Sequence, residues 1–330
     1  MPDTGIDTTG VKWVSRPIEL LEDKVEICNT DGYTIRNRIG SESANGKVYD
    51  IQMKYSPTRL ALKIFRDSGE ECKYAKLLSE RHPGKFPDVS DCKICPEVVL
   101  DEESTFYIDN MALYMKEYMV ETLSGSKLQK KRLKISLDGT TERGDDLLEK
   151  AKTLGVSDET ISYLRTRKGL PMDVMTSELL WGDLDTFIKE YLYQDQLPRI
   201  LSQVFGIMKI LVNENIVHDD LHLGNVLLRK EKIGKDVVFT PVVHDFGTTS
   251  DVIDQSDSIR DISRFLYAFS MSPLGETYGR LLNVSKDVVK TIEDKGDNVT
   301  KDEILDVLSK LETTFMNRST EHFTKELCGE

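Results

Sequence analysis

The chain has 330 residues, enough to bury a large core in one bilobal unit or in two domains. Its apolar fraction of 39% and charged fraction of 31% are typical of an ordinary folded protein and exclude a disordered chain. The formal net charge of -13 argues against a general nucleic-acid binder, because phosphate contacts need a positive surface. The charge leaves room for ATP, which a metal ion and a few cations can neutralise locally.

The N-terminus and the cysteines bear on the location of the protein. Met1–Gly10 is polar and lacks the apolar core of a signal peptide, and no apolar run is long enough to span a bilayer. The cysteines are scattered and odd in number, which predicts reduced thiols in an intracellular compartment: Cys28, Cys72, Cys92, Cys95 and Cys328. Cys92-Lys-Ile-Cys95 lacks the second pair that zinc needs, so we expect two thiols there.

The first predicted elements are strands. Tyr33–Ile39 and Lys47–Met53 are strand-like, and Asn45-Gly46 between them favours a hairpin because both residues tolerate positive φ. Leu60–Phe65 is a further apolar strand that contains Lys63. A lysine in an apolar strand costs desolvation energy unless it is paired, so Lys63 either points to solvent from an edge strand or binds anions.

A helix and a long insertion are predicted next. Apolar residues recur at helical spacing over Gly69–Arg81, and residues 96–119 contain three strand-like segments, Val98–Leu100, Phe106–Ile108 and Ala112–Met119. The stretch from about 120 to 170 looks like an insertion. Its basic run Lys127–Lys134 is predicted to be a solvated face, with a substrate or partner site as the alternative, and Asp145–Lys168 is predicted to form one or two helices.

The remainder of the chain is predicted to be mainly helical after one strand, Met172–Leu180. Pro198–Val212 is a buried helix, apolar nearly all round, with proline in its first turn. Asp261–Phe269 is a second buried helix, and Thr300–Glu303 is a capping box that opens a third.

The most informative stretch is Ile216–Val226, followed by Val242–Gly247. It contains two carboxylates and an amide, Asp220, Asn225 and Asp245, at a spacing that suits a metal-bound nucleotide and a hydroxyl acceptor. The apolar runs on either side indicate short buried strands around a loop. We therefore expect a rigid floor that presents acids at its edge.

These residues resemble the catalytic loop and metal-binding motif of the protein-kinase superfamily, His-Arg-Asp-Leu-x-x-x-x-Asn followed by Asp-Phe-Gly. The resemblance implies that Asp220 accepts or orients the proton of the phosphate acceptor. It also implies that Asn225 and Asp245 bind Mg²⁺ and that His218 packs under the loop. His222 would lie near the γ-phosphate of ATP.

The same resemblance implies a nucleotide site. Lys63 would hold the α- and β-phosphates and pair with Glu71, with Glu70 as the alternative partner. Thr176 would be near the gatekeeper position, and Tyr114–Tyr118 is an alternative to the hinge that follows Thr176. The remaining implied contacts are Gly40 and Gly46 as the outer glycines of a phosphate-covering loop, Val48 over the adenine, the backbone of Glu178 and Leu179 at the adenine, and Asp183 near the ribose.

The sequence departs from the protein-kinase pattern in several places. Asp219 replaces the usual arginine, His222 replaces the usual lysine, and the phosphate-covering loop lacks its middle glycine. No Ala-Pro-Glu motif follows Asp-Phe-Gly, so the peptide platform of ordinary protein kinases is missing. The form His-x-Asp-Leu-His-x-Gly-Asn resembles atypical kinases, aminoglycoside and choline kinase-like enzymes, and protein kinases of large DNA viruses. Without that arginine, we expect no activation by loop phosphorylation.

The resemblance implies an α+β, bilobal protein-kinase-like fold. Residues 1–176 would form a β-rich N-terminal lobe with a helical insertion, and residues 177–330 a mainly helical C-terminal catalytic lobe. The implied function is ATP- and Mg²⁺-dependent phosphorylation of a protein Ser/Thr hydroxyl, with a small-molecule kinase or a pseudokinase scaffold as alternatives. We expect a protein substrate, no nucleic acid, no membrane span, and a cytoplasmic location, or a virion-associated one if the chain is viral.

Overall fold

The computed structural model describes residues 16–17, 28, 33–43, 46–66, 70–99, 105–122, 127–138, 144–167, 169–190, 194–251 and 254–328. Its elements form two compact units. The sheet unit comprises Val14–Gly69 and Asp91–Thr176, and the helical unit includes Glu70–Ser90 and Ser177–Glu330. The predicted α+β class, with a β-rich N-terminal part and a mainly helical C-terminal part, is confirmed.

Six strands form one sheet in the order β1-β2-β3-β4-β6-β5. Their bounds are β1 Arg16–Pro17, β2 Tyr33–Ser43, β3 Gly46–Met53, β4 Arg59–Phe65, β5 Val89–Val99 and β6 Gly169–Glu178. The predicted hairpin is confirmed, because β2 and β3 are antiparallel with Ser43 opposite Gly46. The strand β2 continues through Gly40 with a shift of register between Ile39 and Ser43, so the connection is shorter than predicted; residues 44–45 lie outside the described part.

In the described part of the chain, four helices follow β5 and precede β6. They are α2 Thr105–Thr122, α3 Lys127–Asp138, α4 Asp145–Thr153 and α5 Asp158–Thr166. One hydrophobic core joins these helices to the sheet, with Ile51, Leu62, Met115, Leu148 and Leu164 among its members. Where they are described, the basic side chains of α3 are mostly exposed, as expected for a solvated face.

The strand assignments for Phe106–Ile108 and Ala112–Met119 are wrong, because both lie in α2. Met111, Met115 and Met119 are all buried, and their spacing of four residues is that of a helix face. The segment contains three methionines, which favour a helix, beside three tyrosines, which are typical of strands. The insertion therefore begins soon after β5 rather than near residue 120.

In the helical unit, α1 Glu70–Arg81 starts one residue later than predicted. The predicted buried helix is confirmed as α7 Leu197–Glu214, which has proline in its first turn and ends at Asn215 in a left-handed conformation. The short strands are β7 Gly182–Asp183, β8 Ile216–Val217, β9 Val226–Ile233, β10 Asp236–Val243 and β11 Ser250–Asp251, with the short helix α6 at Leu184–Lys189. The strands β10, β9 and β7 form one sheet, and β8 pairs with β11.

The last three helices are α8 Gln255–Ser270, α9 Gly279–Glu293 and α10 Lys301–Cys328. The helix α8 begins earlier than the predicted Asp261, because Asp254 and Asp257 form a capping box at its start. The predicted capping box of α10 is confirmed, since Thr300 and Glu303 each accept from the backbone N–H of the other. Only residues 248–254 therefore separate Gly247 from α8.

The cysteines differ from the prediction of reduced thiols. Cys28 and Cys95 form a disulfide with their Cα atoms 5.3 Å apart, and Cys72 and Cys92 are also disulfide-bonded. Cys92 and Cys95 are three residues apart on β5, so their side chains point to opposite faces and cannot pair with each other. Disulfides are typical of oxidising environments, so the cysteines no longer support a cytoplasmic location. Among the described residues, every helix is too short or too polar to cross a bilayer.

Candidate functional site

The loop after β8 carries Asp220 and is fixed to its surroundings by hydrogen bonds. Ile216 and Val217 are buried and pair with β11, so the loop leaves from a fixed edge. A short 3₁₀ turn at Leu223–Asn225 then leads into β9. The loop is thus held at both ends by strands of the helical unit.

Asp220, Asn225 and Asp245 belong to one hydrogen-bonded assembly. The side-chain amide of Asn225 donates to the carbonyl oxygen of Asp220 at 2.9 Å, and the carbonyl oxygen of Asn225 accepts from the N–H of His244 at 3.1 Å. His244 immediately precedes Asp245. The two predicted loops are therefore tied together through Asn225, which is only 6% exposed.

His218 supports this assembly from below, as predicted. It is fully buried, its ring lies 5.3 Å from that of Phe246, and its Nε2 donates to the carbonyl oxygen of His244 at 2.9 Å. Because a carbonyl can only accept, the ring proton must be on Nε2. Burial lowers the pKa of His218, which keeps the ring neutral.

Two residues of the assembly have a left-handed backbone that is uncommon for residues other than glycine. Asp219 has a φ of 59° and Asp245 a φ of 65°. Such conformations persist only where the surrounding structure holds them, and they are concentrated at functional sites. Asp245 is one of the carboxylates that the sequence singled out, and Asp219 immediately precedes another, Asp220.

Asp245 and Glu71 direct carboxylate oxygens to the same place. A Cβ atom built on Gly247 would lie 3.4 Å from Glu71 Oε2 and 3.6 Å from Asp245 Oδ1. Glu71 is 2% exposed, whereas Glu70 is exposed and pairs with Lys73 at 3.1 Å. Of the two acids in the first turn of α1, Glu71 is therefore the one that faces the Asp-Phe-Gly segment.

His222 serves as a cap of the 3₁₀ turn. Its Nδ1 accepts from the N–H of Gly224 at 3.0 Å, so the proton of a neutral ring is on Nε2. That Nε2 atom lies 3.8 Å from Asp220 Oδ2. The ring therefore directs a donor toward the carboxylate that the resemblance makes catalytic.

The sheet unit contains the residues expected around the phosphates. Lys63 lies on β4, opposite Val48 of β3, and its Nζ lies 5.2 Å from the centre of the Phe65 ring. Because β4 is flanked by β3 and β6, the edge-strand explanation for Lys63 is wrong. A Cβ on Gly46 would approach the carbonyl oxygen of Ile64 to 2.9 Å, so this position requires glycine.

One of the two candidate hinges lies inside a helix, and the other lies at the end of a strand. Tyr114–Tyr118 lies inside α2, where the backbone groups bond within the helix, so this alternative is wrong. At the other candidate, Glu178 ends β6, its N–H donates to the carbonyl oxygen of Asp88 at 2.9 Å, and its carboxylate pairs with Arg229. The neighbouring residues of this candidate, Thr176 and Leu179, are each part-buried.

Asp183 has a structural task as the N-cap of α6. Its carboxylate accepts from the N–H of Thr186 at 2.7 Å. This contact uses Oδ1 of the carboxylate. Trp181, just before it, packs against Phe187 and Phe239 with ring centres 6.2 and 5.1 Å away.

The sequence reasoning missed Arg260 and Arg264, which α8 brings to the Asp220 loop. Arg260 Nη2 lies 3.3 Å from Asp219 Oδ1, and Arg264 Nη1 lies 4.0 Å from Asp220 Oδ1. Arg260 and Arg264 are four residues apart, so they share one face of α8. That spacing was readable, but the start of α8 had been placed too late to include Arg260.

The donors in this assembly suit a hard divalent cation. Asn225 uses its amide nitrogen on the Asp220 carbonyl, which leaves its side-chain oxygen as an acceptor. The carboxylate of Asp245 adds further oxygen atoms, and Mg²⁺ prefers ligands of this kind. Asn225 and Asp245 would therefore hold the cation.

No protein-family model and no curated protein matches the chain. Among solved structures, the chain is similar to a crystal structure of a double mutant of the PknI kinase domain from Mycobacterium tuberculosis. The identity is 11% and the TM-score 0.47, over 86% of this chain and 96% of that one. The functional assignment accordingly depends on the residues themselves.

Proposed function

We propose that the chain is a kinase that transfers the γ-phosphoryl group of ATP to a Ser/Thr hydroxyl of a protein. The supporting observation is the hydrogen-bonded assembly of Asp220, Asn225 and the His244-Asp245 segment. Phosphoryl transfer needs positioning and charge neutralisation more than covalent chemistry. A fixed assembly supports the positioning, and a Mg²⁺ ion held by its oxygen atoms would supply the neutralisation. The Asp219 and His222 departures favour the atypical branch that includes kinases of large DNA viruses.

In the proposed reaction, Asp220 takes the proton of the acceptor hydroxyl. The acceptor oxygen then forms its bond to the γ-phosphorus while the bond from that phosphorus to ADP breaks. His222 Nε2, 3.8 Å from Asp220 Oδ2, donates toward the carboxylate and helps to orient it. Bound Mg²⁺, held by Asn225 and Asp245, would neutralise phosphate charge.

The other proposed roles follow the resemblance. Lys63 would contact the α- and β-phosphates, beneath a hairpin that includes Gly40, Gly46 and Val48. Glu71 would support Lys63. The backbone at Glu178 and Leu179 would contact the adenine, and Asp183 would lie near the ribose.

A small-molecule kinase is the second candidate, because little chain is available for a peptide platform. Residues 248–254 alone connect Gly247 to α8. Ordinary protein kinases bind their peptide substrates on a longer segment that includes Ala-Pro-Glu. A compact acceptor such as an aminoglycoside or choline would not need that surface.

An acceptor panel with Mg²⁺ and radiolabelled ATP distinguishes these functions. We expect label on casein or myelin basic protein; label only on choline or an aminoglycoside would support the second candidate. Asp220→Asn should lower turnover by roughly 10²–10⁴-fold, the range for loss of a general base. Asp245→Ala should abolish turnover with Mg·ATP.

The matched control is Asp236→Asn. Asp236 is exposed and lies at the turn end of the β9–β10 hairpin, whereas the assembly lies at the other end. It should retain wild-type activity. Full turnover in the Asp245→Ala variant would contradict the assignment, and wild-type protein that binds no nucleotide would indicate a scaffold instead.

A further inference from the structure

The helix α8 contacts three successive residues of the Asp220 loop. Asp261 Oδ2 accepts from the N–H of His218 at 2.8 Å. Arg264 Nη1 donates to the carbonyl oxygen of Asp219 and lies 4.0 Å from Asp220 Oδ1. The residue before the proposed catalytic aspartate is thus held through its backbone, and the aspartate itself faces a guanidinium group.

The side chain of Asp219 is also held by α8. Its Oδ1 lies 3.3 Å from Arg260 Nη2 and 3.8 Å from Arg264 Nη1. Arg260 in turn is oriented by Asp257, one turn earlier on the helix, at 2.9 Å. Two arginines of α8 therefore enclose an aspartate at the position where ordinary protein kinases have an arginine.

This contact supports an uncommon backbone conformation at Asp219. Its φ of 59° is in the left-handed region, which residues other than glycine adopt rarely, although aspartate tolerates it better than most. The hydrogen bond from Arg264 to the Asp219 carbonyl fixes the peptide plane that joins Asp219 to Asp220. The direction of the Asp220 side chain depends on that plane.

Because both arginines are partly exposed, their contacts can position the loop while they contribute little to the stability of the fold. Arg260 is 52% exposed and Arg264 38% exposed, and ion pairs in such positions contribute little to the free energy of unfolding. Small changes in the geometry of a catalytic group, by contrast, can change the rate by orders of magnitude. Loss of these contacts should therefore affect turnover much more than folding.

We propose that Arg264, supported by Arg260, is a positioning residue that holds Asp219 in its left-handed conformation and thereby aims Asp220. The positive charge that orders the loop comes from α8 within the same unit, so no phosphate on residues 248–254 is required. The proposal concerns regulation of the site described above and rests on its assignment as a kinase.

The test compares Arg264→Ala with the matched control Arg280→Ala, an exposed arginine of α9. We expect Arg264→Ala to lower kcat about tenfold or more, with the KM for ATP and the melting temperature near wild type. Arg264→Lys should recover part of kcat, and Arg280→Ala should equal wild type. Phosphatase treatment of the wild-type enzyme should leave kcat unchanged.

The proposal is overturned if Arg264→Ala keeps kcat within about twofold of wild type, or if phosphatase abolishes activity. If Arg264→Ala does not fold, Arg264→Lys and Asp219→Asn decide: intermediate kcat with unchanged KM supports positioning, and wild-type kcat in both overturns it.

Hydrogen exchange separates failure of this proposal from failure of the kinase assignment. If the wild type transfers no phosphoryl group, the kinase assignment fails while the contact can still be measured. Faster amide exchange over residues 218–222 in Arg264→Ala than in Arg280→Ala then supports the role of Arg264 in holding the loop. Equal exchange overturns it.

Discussion

His218 and Asp261 are buried neighbours whose protonation affects folding in opposite directions. His218 donates its N–H to Asp261 Oδ2 at 2.8 Å. Burial lowers the pKa of His218, whereas burial raises the pKa of Asp261 to about 6 against the hydrogen bond from His218 and the charge of Arg264. Each residue therefore links the stability of the Asp220 loop to pH.

The signs follow from proton binding in the folded and unfolded states. Below its unfolded pKa of 6.5, folded His218 binds fewer protons than the unfolded chain, so the free energy of unfolding falls as pH falls. Folded Asp261, with a pKa of about 6 against 3.8 when unfolded, binds more protons, so its contribution rises as pH falls through that window. In the wild type the two effects oppose each other.

We predict that Asp261→Asn makes the protein more sensitive to acid. Without the compensating carboxyl group, the free energy of unfolding should fall more steeply between about pH 6.5 and 5, by roughly 1–2 kcal/mol more than in the wild type. Urea unfolding across this range measures the slope. Asp302→Asn, at an exposed position of α10, is the control. Parallel slopes for wild type and Asp261→Asn would contradict the opposing-proton explanation.

At this scale the sequence predicted individual site residues but not the contacts that they make. Asp220, Asn225 and Asp245 could be chosen because a motif fixes their order and spacing. The cap that His222 makes with Gly224 could not, since it depends on a ring orientation that only the folded turn defines. The cap also gives His222 a structural role beside the one that the resemblance implies, because Nδ1 accepts from Gly224 and Nε2 lies toward Asp220.

At the scale of elements, hydrogen bonds near each end of α1 fasten it to the rest of the helical unit. Tyr74 donates its hydroxyl to Asp251 Oδ1 at 3.1 Å, next to the Asp-Phe-Gly segment. At the other end, Glu214 of α7 binds His82 Nε2 at 2.8 Å and Arg81 Nη1 at 2.5 Å. The hydrogen bond with His82 has the largest effect on the pKa of Glu214, and together with Arg81 it lowers that pKa and keeps the carboxylate charged.

We predict that Glu214→Gln loosens α1. One acceptor oxygen and the negative charge are lost from a side chain that is only 18% exposed, which should cost about 1–2 kcal/mol. Hydrogen exchange over residues 74–82 should accelerate relative to wild type. Glu312→Gln is the matched control, because Glu312 of α10 pairs with Lys209 of α7 and has no contact with α1 among the described residues. Equal exchange in the two variants would show that the contacts of Glu214 do not hold α1.

Elements with clean sequence signals were predicted well, and the errors have specific causes. The apolar period and the proline of α7 were sufficient to predict that helix. The pair Asn45-Gly46 was sufficient to predict that β2 and β3 are antiparallel neighbours. The helix α2 was misassigned because tyrosines among its methionines imitate a strand composition. The helix α8 was started late because Asp254 and Asp257 form a capping box with aspartate at the position usually taken by glutamate.

At the scale of the whole molecule, contacts between distant parts of the chain were the hardest to predict. The strand β6 lies between β4 and β5, although four helices separate β5 from β6 in sequence. Likewise, Cys28 and Cys95 are separated by 67 residues, and nothing in their local sequence indicates the pairing. Local spacing had instead drawn attention to Cys92 and Cys95, which a strand directs to opposite faces.

The Cys28–Cys95 disulfide should stabilise the sheet unit by restricting its unfolded state. A closed loop of 67 residues reduces chain entropy by an amount equivalent to about 4 kcal/mol at 25 °C. We predict that Cys28→Ser combined with Cys95→Ser lowers the free energy of unfolding by up to that value, measured in denaturant without reductant. Cys328→Ser should leave the free energy of unfolding unchanged. Reductant should destabilise the wild type more than the double variant, because the double variant has no Cys28–Cys95 bond to lose. Peptide mapping that finds both Cys28 and Cys95 alkylated before reduction would contradict the pairing, because a disulfide protects both sulfur atoms from alkylation.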